Sequence, residues 1–149
     1  MNVAHPIVDY LETALHATLE VVGAFPADKY DFWPAPGMMA VGEQIEHLAE
    51  NLEYVIGPIA SLAGLTRVSD DHAAGPLSRL EQLTTHVGEV LAHLPDDAWQ
   101  QEVSYPGDFV MTPHRAALVM LEHDAHHRGQ LIVALRLLGI EPPRRWKEE

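Results

Sequence analysis

The chain has 149 residues, 47% of them apolar, and a formal net charge of −13 with its ten histidines counted as neutral. That length suits a single domain with one core, expected over residues 1–149, and the apolar share is too high for a disordered chain. The negative field disfavours nucleic acid as a partner, and the absence of cysteine excludes disulfides, zinc–thiolate sites, iron–sulfur clusters and a protein thiol nucleophile.

The opening MNVAHPIVDYLETALH lacks a basic segment followed by an apolar one, so no secretory signal is expected. The longest uncharged apolar stretch, Val55 to Leu65, is too short to span a bilayer and contains Gly57-Pro58. These features predict a cytoplasmic protein with no membrane partner.

Helical periodicity begins at about Val3 and runs to Val22, where Val3, Ile7, Leu11, Ala14, Thr18 and Val22 step by three or four residues. FPADKYDFWPAPGMMA, from Phe25 to Ala40, then reads as a loop rich in proline and aromatics. A second helix is predicted from Val41 to Ala63 on the stripe Val41, Ile45, Leu48, Leu52, Val55, Ile59 and Leu62. Gly57-Pro58 should kink it, and Gly64 should end it. Residues 65–75 form a polar linker long enough to cross one end of a bundle.

Pro76 suits the first turn of a third helix, striped by Leu77, Leu80, Thr84, Val87, Leu91 and Leu94 and ended by Pro95. WQQEVSYPGDFVM alternates on either side of Pro106-Gly107 and predicts a short hairpin. In the fourth helix Thr112 can cap, Pro113 suits the first turn, and Gly139 suits the left-handed position past the end. One of its rows, Ala116, Met120, His123, His127, Gln130, Ala134 and Leu137, has apolar or small ends and a polar middle, and a second on another side, Leu118, Leu121, Ala125, Ile132 and Leu135, is apolar. They predict a helix buried on two sides. Four helices with steps averaging three and a half residues predict an all-α four-helix bundle.

The chemistry lies in the histidines. His123 and His127 are four residues apart and share one helix face, a spacing that lets two imidazoles hold one ion. Held inside a bundle they need partners, which a metal or neighbouring polar groups would supply. His47 lies beside the apolar stripe of the second helix, in a polar row with Gln44, Asn51 and Tyr54. It is either a third ligand or a boundary histidine. Three imidazoles on one ion would leave positions for water or substrate, as in catalytic rather than closed structural sites. Met120 and Gln130, one turn before and after the pair, join Gln44, Asn51 and Tyr54 as candidate pocket residues. His126 points about 100° away and reads as packing. Asp124 and Glu122 read as solvated-face residues that can alternatively orient a ligand.

Two segments carry a family resemblance. HDAHHRGQLIVALRLLGIEPP, from His123 to Pro143, resembles the last helix of the DinB-like family, the metal-binding four-helix family rather than the DNA polymerase that shares its name. PAPGMMAVGEQIEHLAENLEYV, from Pro34 to Val55, resembles the loop and helix that carry the family's first histidine. The resemblance implies an up-down-down-up bundle with a long crossover between helices two and three. It also implies metal ligands at His47, His123 and His127, nickel or zinc as the ion, and a homodimer. Some members transfer groups to or from low-molecular-weight thiols, and one branch isomerises maleylpyruvate with mycothiol. The family often places Ser or Thr just before helix two; Ala40 and Val41 stand there in this chain, which predicts a weak cap.

These readings lead to a metal-dependent transferase acting with a low-molecular-weight thiol on a small electrophile, since the chain has no thiol of its own. The alternatives are a metal-dependent hydrolase and a module that binds a metal or ligand without catalysis.

Overall fold

The computed structural model describes residues 5–66 and 72–144. Its α-helices are α1 (Pro6–Gly23), α2 (Val41–Ala60), α3 (Pro76–His93) and α4 (Pro113–Leu137). An antiparallel hairpin of β1 (Val103–Tyr105) and β2 (Phe109–Met111) precedes α4, with Ser104 opposite Val110. The expected bundle and hairpin are both present. Val3 lies outside the described residues, as does the 67–71 part of the linker. Among the described residues, no helix is long and apolar enough to cross a membrane.

Local chemistry sets the helix ends. Thr112 Oγ1 accepts the Arg115 amide at 3.2 Å, and Pro113 opens α4. At the other end Gly139 is left-handed, with φ +74°, and the amides of Gly139 and Ile140 close on the carbonyls of Arg136 and Leu135. The paired bonds satisfy carbonyls that the helix leaves open. The expected second helix differs slightly at its end. It passes through Gly57-Pro58, the α-helix finishes at Ala60, and Ser61–Ala63 tightens into a 3₁₀ turn before left-handed Gly64. Ala40 provides no side-chain cap. Instead the preceding loop folds back, and the amides of Val41 and Gly42 donate to Phe32 and Tyr30 carbonyls at 3.0 and 2.7 Å. Glu43 Oε2 accepts from the Ala40 amide. Gly42 permits this approach, because a Cβ there would sit 3.1 Å from the Tyr30 oxygen.

Cross-helix contacts fix the directions. His5, just before α1, lies against His114 at the start of α4, so those helices run parallel. Arg79, in the first turn of α3, is buried on Glu46 and Glu53 in the first two-thirds of α2, so α2 and α3 also run parallel. Gln44 meets His127 while Asn51 and Met120 share a cavity wall, so α2 and α4 are antiparallel. Gly88 faces Glu12 while Leu80 and Thr84 face Leu15 and Thr18, so α1 and α3 are antiparallel too. The result is up-down-down-up, with the connection after α2 returning along the bundle. Each of α1 and α2 packs on both α3 and α4.

The predicted stripes of α1 to α3 enter one core. Leu11, Leu15 and Val22 meet Ile45, Leu48, Leu52, Val55 and Ile59, with Leu80, Val87 and Leu91. Helix α4 is buried on two sides, as expected, but the second side is not the predicted row. Leu118 and Ala125 are exposed, Leu121 and Ile132 only half-buried, and Leu137 is 59% exposed. Its second buried row is instead Ala117, Asp124, Leu131 and Leu135. An outer helix of a bundle packs on two neighbours, and the rotation that buries the histidines turns Leu118 and Ala125 outward.

Replacing Gly139 with Ala should cost about 1 kcal/mol, because a Cβ resists the left-handed conformation. Urea unfolding should show a lower midpoint with an unchanged slope; an unchanged midpoint would show that the turn is dispensable.

Candidate metal centre

α2 contributes His47, and adjacent turns of α4 contribute His123 and His127. One ring nitrogen from each lies within 4.8 Å of the others. The three ring centroids are 4.6 to 4.9 Å apart. Nε2 of His123 and Nε2 of His47 approach to 3.0 Å. His127 is 7% exposed, and its Nδ1 donates to Gln44 Oε1 at 3.3 Å, which leaves Nε2 as the lone-pair nitrogen.

Burial, then the neighbouring His47 and His126, pushes His123 down to about 4. Burial, then His123, His47 and His126, pushes His127 down to about 4 as well. At neutral pH both rings therefore offer lone pairs rather than charge. A tetrahedral ion with nitrogen ligands at about 2.0–2.1 Å needs those nitrogens roughly 3.4 Å apart. Nitrogens at 3.0 Å between His47 and His123, with all three within 4.8 Å, bracket that spacing, so the donor set fits one divalent ion.

Residues 10–131 match the DinB superfamily model. The chain belongs to the DinB superfamily. A DinB-like protein of Bacillus subtilis, YjoA, superposes with a TM-score of 0.76 at 20% identity, over 97% of this chain and all of that one (100%). A DinB-like protein of Bacillus cereus gives 0.73 at 19% identity, over 94% and 95% of the two chains. YfiT of Bacillus subtilis, described as a probable metal-dependent hydrolase with an unusual four-helix bundle topology, gives 0.70 at 18% identity, over 91% and 87%. No curated protein sequence matches.

The candidate pocket residues of this DinB bundle have separate fates. Gln44 is fully buried and holds His127 rather than lining open space. Asn51 and Met120 line a small internal cavity beside His123. Tyr54 turns to the hairpin, donating its hydroxyl to the Pro106 carbonyl at 2.6 Å. Gln130 bonds His126, whose ring stands edge-on to His127. Neither Tyr54 nor Gln130 joins the cluster. On the outer side, a groove of about 670 Å³ opens on His47 between Tyr30, Met38, Met39 and the carboxylates of Glu43, Glu46 and Glu50.

Asp124 corrects the solvated-face reading, for it is 2% exposed. Thr18 Oγ1 donates to it at 2.6 Å. Arg128 donates to it, to Thr18 Oγ1 at 3.1 Å and to the Ala14 carbonyl at 2.8 Å. This network pins α4 to α1 one residue away from His123 and from His127. The i,i+4 spacing of Asp124 and Arg128 was its only signal in the sequence, and that spacing is common on solvated faces.

Asp124→Ala strands the Arg128 guanidinium and should cost about 3 kcal/mol, the usual scale for breaking a buried pair. A loss under about 1 kcal/mol in urea unfolding would count against the network. The depressed histidines also make metal-free stability depend on pH. The unfolded chain takes protons from about pH 6.5, which the fold refuses until about pH 4. Melting temperature should therefore fall as pH drops through that window. The slope should flatten in a His123→Ala, His127→Ala double variant; an equal slope in both proteins would contradict it.

Proposed function

We propose that His47, His123 and His127 hold one divalent ion, nickel or zinc, and that the chain is a metal-dependent transferase acting with a low-molecular-weight thiol on a small electrophile. The observation that carries this is the convergence of three imidazoles, two with basicity lowered by burial, beside an open groove. Imidazole suits either metal, and three protein ligands leave room for a further one. A bound ion supplies Lewis acidity, which makes a nucleophile of a thiol or of water near neutral pH.

The chain's own residues set the rest. Gln44 fixes the tautomer of His127, and the groove gives a small molecule a path to His47. In the transfer, the thiol loses its proton to solvent water, sulfur bonds to the electrophilic carbon, and the bond to the leaving group breaks with its electron pair departing on that group. Glu43, Glu46 and Glu50 on the rim favour a thiol that does not carry several carboxylates. The exposed row on α4, with Leu118 and Ala125, suits a second copy of the chain, in keeping with the expected homodimer.

Hydrolysis is the second reading. It is favoured by the description of YfiT as a probable metal-dependent hydrolase on the same fold.

Wild-type protein loaded with nickel or zinc should retain about one ion per chain through desalting, and His127→Ala should lose most of it by elemental analysis. Equal metal in both removes the assignment. Loaded protein should consume electrophiles only when a thiol is added. Turnover without thiol selects hydrolysis, and no turnover with any thiol, electrophile or ester leaves a binding module.

A further inference from the structure

Asn51 Oδ1 and Thr84 Oγ1 are both buried, and neither has a hydrogen-bond partner within the protein. Thr84 is only 4% exposed. The two side chains come from different helices, α2 and α3, yet both line the same largely enclosed cavity of about 10 Å³. Its other walls include Leu15, Leu48, Met120, His123 and Asp124.

A buried amide oxygen and a buried hydroxyl without partners each cost free energy, so two of them on residues that line one cavity call for a shared partner. A cavity of this size, lined by several polar groups, holds about one water. His123 adds the functional link. Its Nε2 points to His47, so Nε2 is the nitrogen that joins the cluster. With Nε2 as ligand, the ring proton resides on Nδ1, which then needs an acceptor.

We propose that one ordered water occupies this cavity and ties His123 to α2 and α3, making Thr84 and Asn51 positioning residues of the metal centre. The water donates to Asn51 Oδ1, accepts from the Thr84 hydroxyl, and accepts from Nδ1–H of His123. Its second proton faces the Asp124 side of the cavity. His127 receives the corresponding support directly from Gln44, so two of the three ligands have their other nitrogen held, one by a side chain and one through a water. The arrangement also explains a polar threonine within the otherwise apolar stripe of α3. This inference rests on the metal reading given above.

The test compares wild type with Thr84→Val and Thr84→Ser. Valine keeps the shape of threonine but removes the hydroxyl that anchors the water. Nickel or zinc affinity should weaken by about 10–100-fold in Thr84→Val, the range for losing an outer partner of a ligating histidine, and Thr84→Ser should restore it. The metal-free melting temperature should fall or stay level in Thr84→Val, since the water loses an anchor. A dry cavity would instead make valine stabilising. A high-resolution crystal structure of wild type should show water density within hydrogen-bond distance of Asn51, Thr84 and His123.

Tight metal binding by wild type with unchanged affinity in Thr84→Val overturns the water bridge and leaves the metal centre standing. Absence of that density in wild-type crystals does the same. Failure of wild type to hold metal overturns the metal centre and the positioning role together.

Discussion

His123 and His127, packed with His47 so that one ring nitrogen of each lies within 4.8 Å of the others, are held uncharged near neutral pH by burial and by each other. That constraint organises the site. Burial and mutual repulsion hold His123 and His127 far below ordinary histidine basicity. The same lowering leaves their lone pairs free near neutral pH, which is the state a divalent ion requires. A divalent ion at this cluster would compete with protons for the nitrogens of His123 and His127, and the fold is biased against the protons.

The topology delivers this cluster by keeping His47 and the His123–His127 pair on antiparallel neighbours. The return of the chain after α2 places α3 beside α2, leaving the other flank of α2 free to receive α4. Gln44 then meets His127 one turn from where His47 meets His123. The Asp124–Thr18–Arg128 network fastens the opposite side of α4 to α1. Helix α4 is thus gripped on both flanks at the level of its histidines, which fixes its rotation and its depth.

Structures only 18–20% identical to this chain preserve the bundle over nearly its full length. At that distance the shared property is the fold. The surroundings of the histidine cluster are this chain's own: the acidic rim of the groove, Met38 and Met39, Gln44, and the cavity lined by Asn51 and Thr84.

The sequence by itself determined what depends on near neighbours. Thr112-Pro113 and Gly139 marked both ends of α4, because caps and left-handed turns are settled within a few residues. The spacing of His123 and His127 put both rings on one face for the same reason. The resemblance carried by Pro34–Val55 and His123–Pro143 supplied the third histidine and the topology, where the polar row of α2 alone left His47 either a ligand or a boundary residue.

Only the tertiary structure decided the rotation of α4, since apolar residues occur nearly all round it and periodicity selects no single face. It buried Asp124, turned Leu118 and Ala125 outward, sent Tyr54 to the hairpin and paired Gln130 with His126. It also replaced the missing cap at Ala40 with carbonyls from Tyr30 and Phe32. The burial of Asp124, the outward turn of Leu118 and the bond of Tyr54 depend on which distant segment packs against each helix, and one-dimensional spacing carries no record of that choice.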